Sequence, residues 1–261
     1  MLLGGFGYIR DYPQICEAGY NFAELNIPEI ANLTFSELQS LQQKIREAIP
    51  VPIASCLLPT TEPLFFTKEF RPESLRTYLE NACKKTAQLG IHAVILGNGK
   101  ARSLLSEEDL QREEVFLDTI RLIAEIAGKN GQELILEPLS PQYSNYINTI
   151  EQAVQIIKKA EISNIFTMAD LRHMVRANDP FENIERYISY IHHLHIDYPL
   201  SYPERLYPST EDDYDYSKYL KVIDNSCYSR TLTIEADIPS DWKTAHKNII
   251  DVLNAYKEKA I

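Results

Sequence analysis

At 261 residues, with 44% apolar and 24% charged side chains, the chain can bury a large core and has the make-up of a folded soluble protein rather than a disordered or fibrous one. Its formal net charge of −11 argues against a nucleic-acid partner, since binding a phosphate backbone rests on clustered cations, and favours a small-molecule substrate. Cys16, Cys56, Cys83 and Cys227 lie far apart with no CxxC pair, so neither a zinc ribbon nor a disulfide scaffold is expected and a reducing, cytoplasmic setting is.

The N-terminal stretch MLLGGFGYI is apolar but short and lacks a basic flank, so it is read as a first strand rather than a signal sequence or membrane span. Apolar runs then recur at Gly4–Ile9, Asn21–Ile27, Val51–Pro59 and His92–Gly97. Between the third and fourth, SLRTYLENACKKTAQLG places Leu75, Leu79, Ala82 and Cys83 at helical spacing, with Gly90 at the stop. After the fourth, a helix is expected from Ser106, as N-cap with acidic residues behind it, to the glycines Gly128 and Gly131. Further runs follow at Gln132–Leu139, Asn164–Asp170, Tyr190–Ile196 and Thr231–Asp237, with a helix after Asn148 carrying Ile150, Val154 and Ile157 on one face.

Eight strands alternating with helices imply parallel pairing through right-handed crossovers. No linker divides residues 1–261, so the pattern predicts a single domain, a closed (β/α)8 TIM barrel, with an open doubly wound sheet as the other solution. No GxGxxG turn follows the first strand, which counts against a dinucleotide site.

Barrel chemistry sits at the C-terminal ends of strands. There the late runs end in Glu137, Asp170, His195 and Glu235. Each lies in an apolar run, where burying a charge is costly without a partner. Taken singly, Glu137 has an alternative as a rim ion pair, Asp170 as a helix cap and Glu235 as a lysine partner. Together they suggest one divalent metal, and three oxygens with one nitrogen suit Mn²⁺, Mg²⁺ or Co²⁺, with Zn²⁺ a further candidate. In SYIHHLHIDYP, strict alternation puts Ile191, His193, His195 and Asp197 on one face and turns His192 to the helix layer, leaving His193 as neighbour or wall and Asp197 to orient a ligand. Glu24 reads as a rim charge or a substrate contact, the rim preferred, and Tyr8 as a pocket wall.

These stretches resemble the sugar isomerase/epimerase group of xylose isomerase-like TIM barrels, which includes ketose 3-epimerases, inosose dehydratase and hydroxypyruvate isomerase. LEPLSPQYSNYINTIEQA resembles the group's strand-five motif, and TMADLRHM its Asp-x-x-His pattern, giving Asp170 and His173. HHLH followed by YPLSYPERLYP is similar to a strand-seven HxH with a downstream arginine, here Arg205. VILGNGKARS is similar to a strand-four loop that would put Asn98, Gly99 and Arg102 near the mouth. The resemblance implies a sugar-like α-hydroxycarbonyl held by its oxygens at the metal, with Glu137 and Glu235 moving protons through an enediolate and His173, Arg205, Asn98 and Arg102 contacting substrate. Epimerisation, aldose–ketose isomerisation and dehydration by a lyase all share that intermediate.

Two rivals follow from the same resemblance. Endonuclease IV needs further histidines at early strand ends, which SCLLP and LGNGK do not supply; a non-catalytic barrel serving as a binding module is the other. The acidic, tyrosine-rich segment 201–219 is read as a lid, a subunit contact in a homo-oligomer, or a solvated loop.

Overall fold

The apolar runs become eight parallel strands, β1 (Leu2–Gly7), β2 (Phe22–Asn26), β3 (Ile53–Ser55), β4 (Ala93–Leu96), β5 (Glu133–Leu136), β6 (Ile165–Asp170), β7 (Ile191–Ile196) and β8 (Thr231–Ile234). They pair in chain order and β8 returns to β1, so the sheet closes into a barrel. This architecture comes from a computed structural model and covers residues 1–259. The helices are α1 (Tyr12–Ala18), α2 (Ile27–Asn32), α3 (Phe35–Glu47), α4 (Arg76–Gln88), α5 (Glu113–Lys129), α6 (Ile150–Ala160), α7 (Leu171–Ala177), α8 (Glu182–Arg186), α9 (Ser217–Asn225) and α10 (Trp242–Lys259). Among the described residues no helix is long and apolar enough to cross a membrane.

Alternation along the strands sorts two cores. Leu25, Val94, Leu96, Leu134, Leu136, Leu194, Ile196 and Leu232 belong to the large core shared with the helix layer. Ile53, Ala93, Ile95, Ile135 and Met168 form a separate cluster, the plug of the barrel interior. Below it, a side-chain carbon on Gly4 would lie 2.3 Å from the ring of Phe22, so glycine is what lets that ring fill the base.

Three expectations shift in detail. The third strand stops at Ser55 because Cys56 takes the left-handed conformation, φ 60°, and turns the chain out of the sheet. The helix expected from Ser106 starts as a 3-10 turn, Glu107–Arg112, whose Asp109 carboxylate accepts from the Leu105 and Ser106 N–H groups; the α-helix begins only at Glu113. In β7 the register slips by one residue, Thr167 facing Ile191 but Met168 facing His193. His192 is the extra residue of this bulge. It does not turn to the helix layer: its ring stacks on Phe166 at 3.5 Å and its Nδ1 lies 2.7 Å from Glu133, on the sheet face that Met168 and Ile135 share in the interior. Ile191 correspondingly joins the outer core rather than the histidine face.

Candidate metal centre and active site

Glu137, Asp170, His195 and Glu235 converge where β5 to β8 end, each offering one ligand atom within 4.8 Å of the others. His195 Nδ1 lies 3.2 Å from Glu235, 3.6 Å from Asp170 and 3.7 Å from Glu137. Glu137 Oε1 and His195 Nδ1 are buried without a hydrogen-bond partner. Orphaned donor atoms of this kind, in a set of three oxygens and one nitrogen, fit a divalent cation. Asp170 does both things considered for it: Oδ1 accepts from the His173 N–H at 3.0 Å and caps α7, while Oδ2 faces the cluster.

The charges are mutually dependent. Burial pushes the Glu137 carboxyl up to about 7, and the neighbouring Glu235 and Asp170 charges act in the same direction. Burial also opposes ionisation of Asp170 and Glu235, but His173, Arg205 and His195 outweigh it at Asp170, and Arg205 and His195 outweigh it at Glu235, so both are held below the usual range. His195 is buried too, yet Glu24 and Glu235 raise it well above an ordinary imidazole.

Glu24 is not at the rim. It is 0% exposed, lies inside the barrel, and accepts from His193 Nε2 at 3.0 Å and from His195 Nε2 at 3.2 Å. His193 Nδ1 in turn lies 2.8 Å from Thr231 Oγ1. Glu24, His193 and His195 are also close enough together to hold an ion, but their mutual hydrogen bonds already account for their burial.

Arg205 reaches back from the loop after β7. Its guanidinium lies 2.5 Å from Glu235, 2.9 Å from Asp197 and 3.1 Å from Asp170. Asp197 orients this arginine rather than a metal ligand, shared between Arg205 and the buried Arg172, which is 2.5 Å away. Arg172 also binds the carbonyls of Tyr198 and Ser201 and so ties down the loop carrying Arg205. It stands beside His173 in TMADLRHM, in the first turn of α7, where local pattern gives no sign that it is buried. Part of the tyrosine-rich segment is folded back: Tyr198 N–H donates to Leu206 O at 2.8 Å, and Tyr207 packs edge-on against Trp242.

His173 Nδ1 accepts from the Ser140 N–H at 3.3 Å, which leaves the hydrogen on Nε2, 3.8 Å from Glu137 and 3.9 Å from Asp170. Burial lowers its pKa to about 4, so it faces the site as a neutral donor.

Above the cluster opens a cavity of about 640 Å³, lined among others by Ser55, Cys56, Gly97, Leu139, Tyr143 and His173. Arg205, Glu137 and Glu235 also line it. Gly97 is needed for room, because a side-chain carbon there would lie 2.0 Å from Glu137 Oε2. Asn98 lines the cavity, but its amide brackets the main chain of Leu58, at 3.0 Å from the N–H and 2.8 Å from the carbonyl. Arg102 departs from its expected position at the mouth. It is 0% exposed, absent from the cavity wall, and donates to the carbonyls of Glu137 at 2.5 Å and Ile147 at 3.4 Å. The turn Lys100–Arg102 points it inward, where it serves the buried carbonyl of Glu137 and adds to the Leu139 N–H already bonded to Ile147. Tyr8 also lies off the cavity wall, packed edge-on against Phe6.

Solved structures share this architecture. L-ribulose 3-epimerase superposes with a TM-score of 0.79 at 18% identity, covering 99% of this chain and 96% of that one. The IolI protein with a bound zinc atom superposes at 0.76 and 19% identity, covering 98% and 99%. By sequence, the Putative hydroxypyruvate isomerase of Xenopus laevis is 27% identical over 134 residues, a match spanning 48% of this chain and about half, 48%, of that relative. The sequence model described as xylose isomerase-like TIM barrel matches residues 14–256, and the chain belongs to that family.

Proposed function

We propose that this chain, working as a single barrel domain, is a divalent-metal-dependent sugar isomerase or epimerase acting on a ketose or related α-hydroxycarbonyl. The observation that carries the reading is the convergence of Glu137, Asp170, His195 and Glu235, of which Glu137 and Glu235 line the cavity, with Glu137 Oε1 and His195 Nδ1 lacking partners. The likeness to L-ribulose 3-epimerase and to a relative named for hydroxypyruvate isomerase supports the substrate class.

In this reading the four residues hold Mn²⁺, Mg²⁺, Co²⁺ or Zn²⁺. Such a cation supplies Lewis acidity, which makes the C–H next to a carbonyl easier to ionise. Glu137 and Glu235 come from β5 and β8, three strands apart around the rim, so they approach a substrate from different directions. One carboxylate removes the proton and the other returns one. Delivery to the opposite face of the same carbon epimerises it, and delivery to the neighbouring carbon, with the hydroxyl proton passing to the former carbonyl oxygen, isomerises the sugar. The His173 Nε2–H donates to a substrate oxygen as negative charge develops there. Arg205, fixed by Asp197, keeps Glu235 ionised and holds a second oxygen.

The test is hydrogen exchange in D₂O. Metal-loaded protein is incubated with ketoses, inososes and hydroxypyruvate, and C–H loss is read by proton NMR after metal removal. Deuterium entering one carbon beside a carbonyl, abolished by Glu137→Gln, is the expected result. No exchange with any of them, with metal bound, overturns the reading.

A further inference from the structure

We infer that Glu24 and His193 are positioning residues for the centre, holding His195 with its hydrogen on Nε2 so that Nδ1 is presented bare to the cation. The inference rests on the reading of His195 as a metal ligand. It goes further by assigning work to a buried chain of groups that the proton-transfer chemistry does not use.

The hydrogen-bond pattern leaves one consistent arrangement. Both oxygens of Glu24 lie 3.2 Å from His195 Nε2, and Oε2 also lies 3.0 Å from His193 Nε2. A carboxylate only accepts, so both nitrogens carry hydrogen. With its Nε2 protonated, a neutral His193 must accept at Nδ1, where the Thr231 hydroxyl donates across 2.8 Å. The same logic at His195 keeps a hydrogen on Nε2, so that when the ring gives up its other proton to ligate the cation the lone pair lies on Nδ1, the atom facing Glu137, Asp170 and Glu235. Donation thus converges on Glu24, from Thr231 through His193 on one side and from His195 on the other, and the last of these bonds fixes the ring that faces the centre.

The placement of Glu24 has no other structural reason. Its partners across the sheet are Phe6 on β1 and Ile53 on β3, both apolar, and an apolar residue would fill this layer without burying a charge. Among the described residues no Lys or Arg pairs with it; the two imidazoles alone do. A carboxylate behind a ligating imidazole fixes the ring and makes it a stronger donor to the metal.

The experiment titrates Mn²⁺ into metal-free protein and follows the free-ion EPR signal, with melting and circular dichroism as controls for folding. In Glu24→Gln the amide accepts from one imidazole but donates to the other, so the chain is broken without loss of volume. Its Mn²⁺ dissociation constant is expected to rise by about 10–100-fold. Thr231→Val, at the far end of the chain, should give a smaller rise. In Zn²⁺-loaded wild type, long-range ¹H–¹⁵N correlations should place the His195 hydrogen on Nε2. A hydrogen on Nδ1 overturns the inference even if neither variant folds. Mn²⁺ binding lost in Asp170→Asn but unchanged in Glu24→Gln overturns it while leaving the four-residue site standing. Absence of Mn²⁺ binding in wild type removes both. Weakened binding in Glu24→Gln, together with no hydrogen exchange on any sugar, upholds the inference and removes the proposed reaction.

Discussion

The two halves of the barrel rim are built to different ends. β5 to β8 lead into Glu137, Asp170, His195 and Glu235, whereas β3 and β4 lead into Ser55, Cys56 and Gly97, small residues lining the cavity. Charge is concentrated on one side and space on the other. The difference shows that the empty half is a working part of the site, since the 2.0 Å approach of Glu137 to where a Gly97 side chain would sit means that the late half depends on what the early half omits.

The strongest break of the comparison is on the charged half. Glu137→Gln and Glu235→Gln should each lower the rate of substrate C–H exchange by about 10²–10⁴-fold, measured by proton NMR, because each removes a proton-transfer group. Near-full activity in either would end the two-base assignment. On the empty half, Gly97→Ala should displace the Glu137 carboxylate and lower kcat by about 10²-fold, with little change in Tm. An unaltered kcat would mean that the early half only encloses.

Next in size is a test of what supports Glu137 from behind. Arg102→Met strips the side-chain donor from the buried carbonyl of Glu137 and should cost about 1–3 kcal/mol of stability in denaturant unfolding. A raised KM with unchanged stability would restore Arg102 to the substrate contacts. The smallest effect concerns pH. Burial opposes the charge on Glu24, but His195 and His193 hold its carboxyl well below an unfolded glutamic acid at about 4.3. The unfolded chain therefore takes up this proton first on acidification. The stabilisation is complete above about pH 5 and is lost as pH falls toward the folded value. Metal-free wild type should lose stability more steeply than Glu24→Gln between about pH 5 and pH 3 in parallel denaturant melts. Equal slopes would mean that Glu24 is not held ionised.

How far the sequence foretold the site follows the same division. A charged residue ending an apolar run is anomalous wherever it stands, so Glu137, Asp170, His195 and Glu235 could be picked out from local pattern alone, as could the alternation that closes the barrel. What could not be read depends on distant partners. Glu24 meets histidines 169 and 171 residues away, and only that meeting distinguishes a buried hydrogen-bonded carboxylate from a rim charge. The face of His192 turns on a slip in pairing with β6, which β7 by itself does not encode. Arg102 belongs to a loop pattern equally compatible with an arginine at the mouth and one tucked beneath it, and the buried carbonyl of Glu137 decides between them.

Two neighbouring groups, Glu137 with Asp170, His195 and Glu235, and Glu24 with His193 and His195, compete in principle for a cation on opposite edges of one imidazole. Anomalous diffraction at the manganese edge, from crystals grown with Mn²⁺, separates them directly. The account predicts one peak bounded by Glu137, Asp170, Glu235 and Nδ1 of His195. A peak on the Nε2 side against Glu24 and His193, or no peak at either place, would contradict it.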